Sequence, residues 1–568
     1  MSRNGYHPGS HRGNNVYSFL EDHLKKNPDR VVLQWAKREA LAGAAQLRPG
    51  DTLAHDGVTV QVLHDLIVRT AAGFHDLGLK SGDRVILFVP MSLPLYVSMF
   101  ALQMIGAIPV FLDSWARRSH LGVSAKIVSP RAMISFEKAF DLFEQGEPVP
   151  EIAGIPIKIS VGPTTRPFTA RLEELNRHPR KAEPLAVEQE HTALITFTTG
   201  SSGVPKGANR THRFLAAQHY ALDECIPYGP GDSDLPVFPI FSLNNLAAGV
   251  TTVIPAFDIG VPGEHDPQIL LAQLKACNVT CTTLSPSLFN RLAEYCLKNG
   301  IQLDQLRRVV TGGAPISRDN IVDMQKVAPK AEIWVLFGST EAEPMAHIEG
   351  REMVGLKSRA SEDPEWVDEG VNVGHMAHGL LYKFLKIQKG TIEIGAKSDW
   401  AGLEVPQGEV GELIVAGEHV CRNYYNDEQA FKRAKILDEN GTVWHRTGDL
   451  GRLDEKGYLW IVGRVHNAIQ RAGHYVFPVR AEMVMRKLPF VELAAYLGVP
   501  DAEKGEKTVC VIVPRGPVNE IELRRVMEKN GLPIDQLVIR DKIPMDPRHH
   551  SKVEYDVLRN ELKNEKLV

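Results

Sequence analysis

Cysteine is scarce. Six in 568 residues are too few to cross-link a chain of this length into a disulfide framework. The closest pair, Cys277 and Cys281, has no second pair at metal-ligand spacing beside it, so buried free thiols in a reducing compartment are expected. An excess of charge of one sign is also missing. The 65 basic residues against 69 acidic ones leave a net charge of -4, which supplies no basic footprint for nucleic acid and no acidic tail. The first residues, MSRNGYHPGSHRGNN, hold no apolar core and do not read as a secretory leader. Internal repeats and low-complexity tracts are not found. What remains is a globular composition, 43% hydrophobic and 24% charged, in a chain longer than one core supports, so two or more domains are expected.

One long uncharged run stands out. Residues 85–112, VILFVPMSLPLYVSMFALQMIGAIPVFL, are long enough to suggest a membrane span. Pro90, Pro94, Gly106 and Pro109 cut the run into pieces of strand and helix length. Ser92 is placed to cap a helix that has Pro94 in its first turn and Gly106 just past its end. A buried strand–helix–strand unit is therefore expected, with no transmembrane segment, and the protein is expected to be cytoplasmic.

Before that run, Leu63, Leu66, Ile67, Thr70, Phe74 and Leu77 recur at helical spacing, with Gly78 as the stop. Further on, HTALITFTT at 191–199, VTTVIPAF, CTTLSP and LRRVVTGGAP are short apolar strands that bracket helical periodicity. This rhythm predicts an α/β fold of parallel or mixed sheets with helices. From about residue 408 the texture changes to short alternating strands, GEVGELIVAG and GYLWIVGR, which predict a β-rich subdomain packed on the α/β core. After Arg464, the strands LAAYLGVP and KTVCVIVP and an amphipathic helix over 519–530 predict a small α+β domain. The expected organisation is a large N-terminal domain over 1–466 and a small C-terminal one over 467–568.

Four segments carry chemistry. TTGSSGVPKG at 198–207 follows an apolar strand. Thr198, Thr199, Gly200, Ser201, Ser202 and Gly203 make a loop whose backbone N–H and hydroxyl groups can wrap a polyphosphate, and Lys206 adds a compact positive charge. The spacing is not that of a Walker loop, and a solvated Ser/Gly turn is the plain alternative. TGGAP at 311–315 ends another strand, where glycine lets the backbone approach a planar ligand. LFGSTE at 336–341 sets an aromatic, a hydroxyl and a carboxylate at the carboxyl end of a strand, where open α/β sheets bind ligands. RTGD at 446–449 offers a carboxylate to sugar hydroxyls, and Gly463-Arg464 lies beside the expected boundary. Each has a turn-chemistry explanation alone; the set in this order does not.

In that order the chain resembles the adenylate-forming superfamily of acyl-CoA ligases, peptide-synthetase adenylation domains and beetle luciferases, over about residues 27–562. The resemblance implies an enzyme that uses ATP and Mg²⁺ to turn a carboxylic acid into an acyl-adenylate. It implies that the 198–207 loop holds the ATP β,γ-phosphates, and that Gly313, Ala314, Pro315 and Phe337 line the adenine pocket, with Gly338 also on the nucleotide. Thr340 would contact phosphate, Glu341 would hold Mg²⁺, and Asp449 assisted by Arg464 would take the ribose hydroxyls. Lys552, in PMDPRHHSKVEYDVLR, would bridge the carboxylate and the α-phosphate, delivered by a mobile C-terminal lid hinged at Asn467. The physics agrees: a carboxylate attacking a phosphate brings two anions together, so the site must supply positive charge there.

Some positions depart from the superfamily pattern. Asn467 stands where the hinge usually carries Asp or Lys, Gln470 replaces a nearby lysine, PVRAE at 478–482 replaces P-x-E-I-E, and Ser242 stands where many CoA ligases have His. These bear on thioester formation and leave adenylation untouched. LDSWARR at 112–118, DLPVFPIFSLNNLAAGVTTVIP at 234–255, TEAEPMAHIEGRE at 340–352 and DPRHHSK at 546–552 resemble one subgroup, the β-lactone synthetases of long-chain olefin biosynthesis. That resemblance implies a long-chain 2-alkyl-3-hydroxy acid whose own hydroxyl expels AMP without CoA, with His212 and His347 as candidate bases and pathway enzymes as possible partners. Phe, Leu and Val crowd residues 238–253, consistent with an apolar acyl pocket. A long-chain fatty acyl-CoA ligase using CoA is the alternative. Behind it stand an acyl-carrier-protein ligase, an amino-acid adenylation domain and a non-catalytic nucleotide-binding homologue. The expected partner is a small fatty or hydroxy acid.

Overall fold

The computed structural model describes residues 15–43, 46–112, 118–145, 147–198, 204–257, 266–357, 362–363, 365–545 and 553–567. The uncharged run at 85–112 forms the strand Arg84–Phe88, the helix Leu93–Met104 and the strand Ile108–Phe111. Ser92 caps the helix by accepting from the Leu95 N–H, Pro94 occupies its first turn, and Gly106 leaves it at φ +74°, a left-handed turn that glycine adopts without Cβ strain. The helix is apolar on every side because it is covered by the helix Val60–Asp76 and by the two strands it joins. Among the described residues, no helix is long and apolar enough to cross a membrane.

Among the described residues the strands form sheets of fourteen, seven and five. In the seven-stranded sheet, Ile157–Ser160, Ala132–Ser135, Arg84–Phe88, Ile108–Phe111 and Thr192–Thr198 run parallel in that order. It ends on the antiparallel strand Lys206–Thr211, paired with Thr192–Thr198. The segment 198–207 therefore begins and ends on two paired antiparallel strands at the edge of this sheet.

The fourteen-stranded sheet has a parallel half, in which Ser233–Pro236, Cys281–Leu284, Arg308–Gly312 and Glu332–Ser339 are successive neighbours. Its antiparallel half starts at the hairpin partner Ala342–Glu349 and continues through Val371–Met376 and Leu459–Arg464 to Val443–Leu453, Gly411–Ala416 and Leu381–Leu385. The β-rich section thus opens at Val371, earlier than the textural change near 408 predicts, and it continues the central sheet. The strand Gly411–Ala416 is not alternating either. All six residues are buried, because Leu413 and Val415 join one apolar cluster while Ile414 and Ala416 join another with Trp400 and Trp444.

The five-stranded sheet is built from Ile469–Arg471, His474–Val476, Val491–Asp501, Gly505–Pro514 and Gln536–Ile539. The helix Glu520–Lys529, capped by Asn519, packs its Leu523, Val526 and Met527 into the core of this sheet. All six cysteines are free thiols, five of them buried.

Candidate active site

Thr340 and Glu341 form the turn between the antiparallel strands Glu332–Ser339 and Ala342–Glu349. Two long-range hydrogen bonds hold that turn. Arg210, buried in the Lys206–Thr211 strand, donates from Nη2 to the Thr340 carbonyl (2.9 Å). The Cys421 N–H donates to the Glu341 carbonyl (2.7 Å). Residues 420–425 act as a strap across both elements. Val420 bridges Ala342 and Tyr424 bridges Ala208, while the Tyr425 N–H donates to the Gly207 carbonyl (2.8 Å). The Lys206–Thr211 strand is thereby tied to the Glu341 turn.

Charge is concentrated at this junction. The Tyr424 hydroxyl donates to Glu341 Oε1 (2.9 Å), and the ammonium groups of Lys206 and Lys435 each lie 5.3 Å from the centre of the Tyr424 ring, within cation–π range. Lys435 is buried and donates to the Cys421 carbonyl. Burial pushes the Glu341 carboxyl up, while the Lys435 charge, the Tyr424 hydrogen bond and Lys206 push the other way, and the group sits below the ordinary carboxylate range. Burial pulls both lysines down. His445, buried next to Lys435, is lowered to about 3, chiefly by burial, and is neutral at pH 7. Among the described residues no cluster of three or more His, Cys, Asp or Glu could hold a metal. A single ionised carboxylate suits Mg²⁺, which takes one or two carboxylates together with phosphate oxygens and water.

TGGAP, LFGSTE, RTGD and Gly463-Arg464 all lie on strands of the fourteen-stranded sheet or at their ends. Gly312 pairs with Leu336 across neighbouring parallel strands, and a Cβ on Gly312 would lie 2.1 Å from the Leu336 carbonyl oxygen. Gly313 follows at φ +86° with open space where a Cβ would stand. Gly313 and Pro315 are exposed and Ala314 half-buried, so TGGAP presents bare backbone beside LFGSTE. Phe337 is half-buried against the apolar cluster that includes Ala342 and Met345, and a Cβ at Gly338 would crowd Glu343 and Ala342. Asp449 and Arg464 are cross-strand partners; Arg464 Nη1 donates to Asp449 Oδ1 (2.7 Å), and the Asp449 carboxylate, with Glu341 adding to it, raises the guanidinium pKa. Arg446 of RTGD does different work. It is buried against Glu412 (2.6 Å) and donates to the Gln388 carbonyl (2.8 Å), a structural pair that anchors the strand.

Thr199, Gly200, Ser201, Ser202, Gly203 and Lys552 lie outside the described residues, as do DPRHHSK and residues 113–117 of LDSWARR. Thr198 pairs with Lys206 at the end of the hairpin, and its hydroxyl, like that of Ser339, is buried without a partner. Met545 bridges Val553, and the Tyr555 hydroxyl donates to the buried Glu482. Asn467 is buried in the turn Val465–Asn467, with Oδ1 unpartnered.

Of the two candidate bases, His212 is buried and its Nδ1 accepts from the Val16 N–H (3.1 Å). Nε2 must then carry the proton, so the ring can donate and cannot accept. His347 lies on the Ala342–Glu349 strand opposite Leu336; its Nδ1 has no partner, and burial holds its pKa down. Arg210, Tyr424 and Lys435 were not legible as site residues, because only long-range pairing brings them to Glu341.

A cavity of about 50 Å³ opens between the helices Ser18–Lys26, Leu93–Met104, His212–Cys225 and Pro239–Ala248. Its wall is mostly apolar, with Phe19, Phe100, Leu222, Ile240, Leu243 and Leu246 among its residues. The last three come from the apolar segment at 238–253.

Comparison with known proteins fits this geometry. The family described as AMP-binding enzyme matches residues 20–425. An olefin β-lactone synthetase of Xanthomonas campestris is 30% identical over 561 residues, covering 95% of this chain and 96% of that protein. One from Stenotrophomonas maltophilia is 29% identical over 564 residues, with the same coverage. The crystal structure of ATP-bound MatB from Rhodopseudomonas palustris shares the fold, at a TM-score of 0.76 and 21% identity, over 97% of this chain and 99% of that one.

Proposed function

The chain belongs to the AMP-binding enzyme family as an adenylate-forming ligase, and on that premise we propose that it converts a long-chain 2-alkyl-3-hydroxy acid into a β-lactone. The observation that carries the reading is the likeness, over 95% of the chain, to two olefin β-lactone synthetases.

In the first step a carboxylate oxygen of the acid bonds to the α-phosphorus of ATP and pyrophosphate leaves. The hairpin 198–206 with Lys206 would hold the β,γ-phosphates, TGGAP and Phe337 the adenine, and Asp449 with Arg464 the ribose. Glu341, kept ionised and pinned by Tyr424, would hold Mg²⁺, which would neutralise phosphate charge when bound. Lys552 would balance the charge that builds at the α-phosphate. In the second step the 3-hydroxyl oxygen bonds to the acyl carbon, AMP departs and the ring closes. The nucleophile is already tethered, so proximity replaces a second substrate. Its proton would pass to a base; His347 Nδ1 has no partner, whereas His212 Nδ1 is already engaged by the Val16 N–H.

The test is to incubate the protein with ATP, Mg²⁺ and a long-chain 2-alkyl-3-hydroxy acid without CoA, and to identify the products by mass spectrometry and NMR. A product lighter than the acid by one water, with stoichiometric AMP, is expected. Bound acyl-adenylate alone, with thioester appearing only on adding CoA, would establish an acyl-CoA ligase instead.

A further inference from the structure

The acidic segment just before the strand Val371–Met376 belongs to the large body by its place in the chain, yet it is built into the C-terminal sheet. Val367, 3% exposed, joins an apolar cluster whose other buried members all come from residues 469–532. Its N–H donates to Oδ1 of the buried Asn530 (3.0 Å), and Asn530 Nδ2 donates back to the Glu365 carbonyl (2.9 Å). Arg480 Nε donates to the Val367 carbonyl (2.8 Å), with its guanidinium 4.6 Å from the centre of the Trp366 ring. Opposite charges surround this buried contact. Lys529 Nζ donates to Glu365 Oε2 (2.6 Å) and Asp363 Oδ1 (3.0 Å), and Arg525 holds both oxygens of Glu365.

The other end of the segment is fixed to the large body. Asp368 Oδ2 lies 3.5 Å from Arg318, at the start of the helix Arg318–Val327. Val371 is in register with Ile461 of the fourteen-stranded sheet, and a Cβ on Gly370 would lie 2.6 Å from the Ile461 carbonyl oxygen. Only Asp368, Glu369 and Gly370 separate Val367, in one core, from Val371, in the other. Such a stretch spans at most about 14 Å when fully extended. The C-terminal unit is therefore joined to the body twice, through the turn Val465–Asn467 and through this short segment, and the second link has little slack.

We propose that residues 363–369 are a clasp that pins the C-terminal unit to the large body, and that the unit turns about Asn467 only when the clasp releases Val367. The paired hydrogen bonds with Asn530 give the closed state one geometry, because opening must resolvate a buried amide. The surrounding ion pairs have side chains 27–47% exposed. Each therefore contributes modestly and is screened by salt, which keeps release reversible. The inference concerns the movement of the unit and does not depend on which acid the enzyme takes.

The test is double electron–electron resonance on the full-length protein. Spin labels are placed on Lys298→Cys, at the end of the helix Pro286–Lys298, and on Glu503→Cys, between the strands Val491–Asp501 and Gly505–Pro514; both positions are exposed. Cys277→Ala removes the native thiol that is not buried. One dominant distance is expected for the clasped protein. Glu365→Lys sets the segment against Lys529 and Arg525 and should raise the share of other distances by about fivefold or more. Val367→Ser, which weakens the buried contact, should raise it as well. Adding Lys529→Glu to Glu365→Lys should restore the dominant distance, a recovery that damage to the fold would not allow. A distribution left unchanged by either single variant, or no recovery in the paired one, would overturn the inference. So would a second distance in the labelled parent at which the Val367 amide stays protected from hydrogen exchange, because the segment would then travel with the unit.

Discussion

Tyr424 and Glu341, 83 residues apart in the chain, meet through a 2.9 Å hydrogen bond from the phenol to the carboxylate. The bond leaves Oε2 of the carboxylate for a ligand and, with the Lys435 and Lys206 charges, helps keep the group ionised despite its burial. Tyr424→Phe should cost about 1–3 kcal/mol of stability, since a buried acceptor loses its donor. It should also raise the Glu341 pKa and move the acid limb of exchange activity to higher pH. Guanidinium unfolding together with a pH–rate profile checks both. An unshifted acid limb would mean that Glu341 does not act as an anion in adenylation.

Gly312 and Gly313 are adjacent but should respond differently. Alanine at 312 drives a methyl to 2.1 Å from the Leu336 carbonyl oxygen, and the two parallel strands must part. A loss of about 3 kcal/mol or more is expected. Alanine at 313 meets open space and suffers only its positive φ, for about 1–2 kcal/mol. Urea unfolding of the two variants ranks them.

Arg446→Met should leave Glu412, 2% exposed, as a buried charge with no counter-ion. The expected loss is about 3–5 kcal/mol. Adding Glu412→Gln removes that charge and should recover part of it. Thermal unfolding of the single and double variants measures the difference, and a single variant as stable as wild type would contradict the burial argument.

Acid should expose a specific liability. His445 and His212 are both lowered to about 3, chiefly by burial. Between pH 6.5 and 3 the unfolded chain binds protons at these groups that the folded chain refuses, so their effect is to reduce stability as pH falls through that window. Glu482, raised by burial to about 7, acts with the opposite sign between pH 7 and 4.5. His445→Gln removes one acid-destabilising group. Its stability should therefore fall less steeply than that of wild type from pH 6.5 to 4.5, by about 1 kcal/mol per pH unit. Denaturant titrations at pH 6.5, 5.5 and 4.5 read the slope.

Local signals carried much of the fold. The Ser92 cap, Pro94 and Gly106 were enough to turn an apparent membrane run into strand, helix and strand, because caps and breakers act over a few residues. The helices at Val60–Asp76 and Glu520–Lys529 followed from their apolar period. The strand Gly411–Ala416 misled because alternation reports one buried face, and this strand is covered on both. In the site, motif order pointed to Glu341, Asp449 and Arg464 as ligand-facing groups. Arg446, inside the same motif as Asp449, proved to be a structural partner of Glu412. Arg210, Tyr424 and Lys435 carry no local mark, since their relation to Glu341 exists only once the strap at 420–425 crosses the Lys206–Thr211 strand.

The continuity of the fourteen-stranded sheet also decides how the chain can be dissected. A fragment stopping near residue 408 would retain Leu381–Leu385 without Gly411–Ala416, the strand it pairs along, and would bare the Val371–Met376 edge that Leu459–Arg464 normally covers. Exposed strand edges recruit other chains, so such a truncate is expected to aggregate during expression. A stop codon after Arg464 keeps every strand of that sheet in one piece, which makes it the rational terminus for a shortened protein.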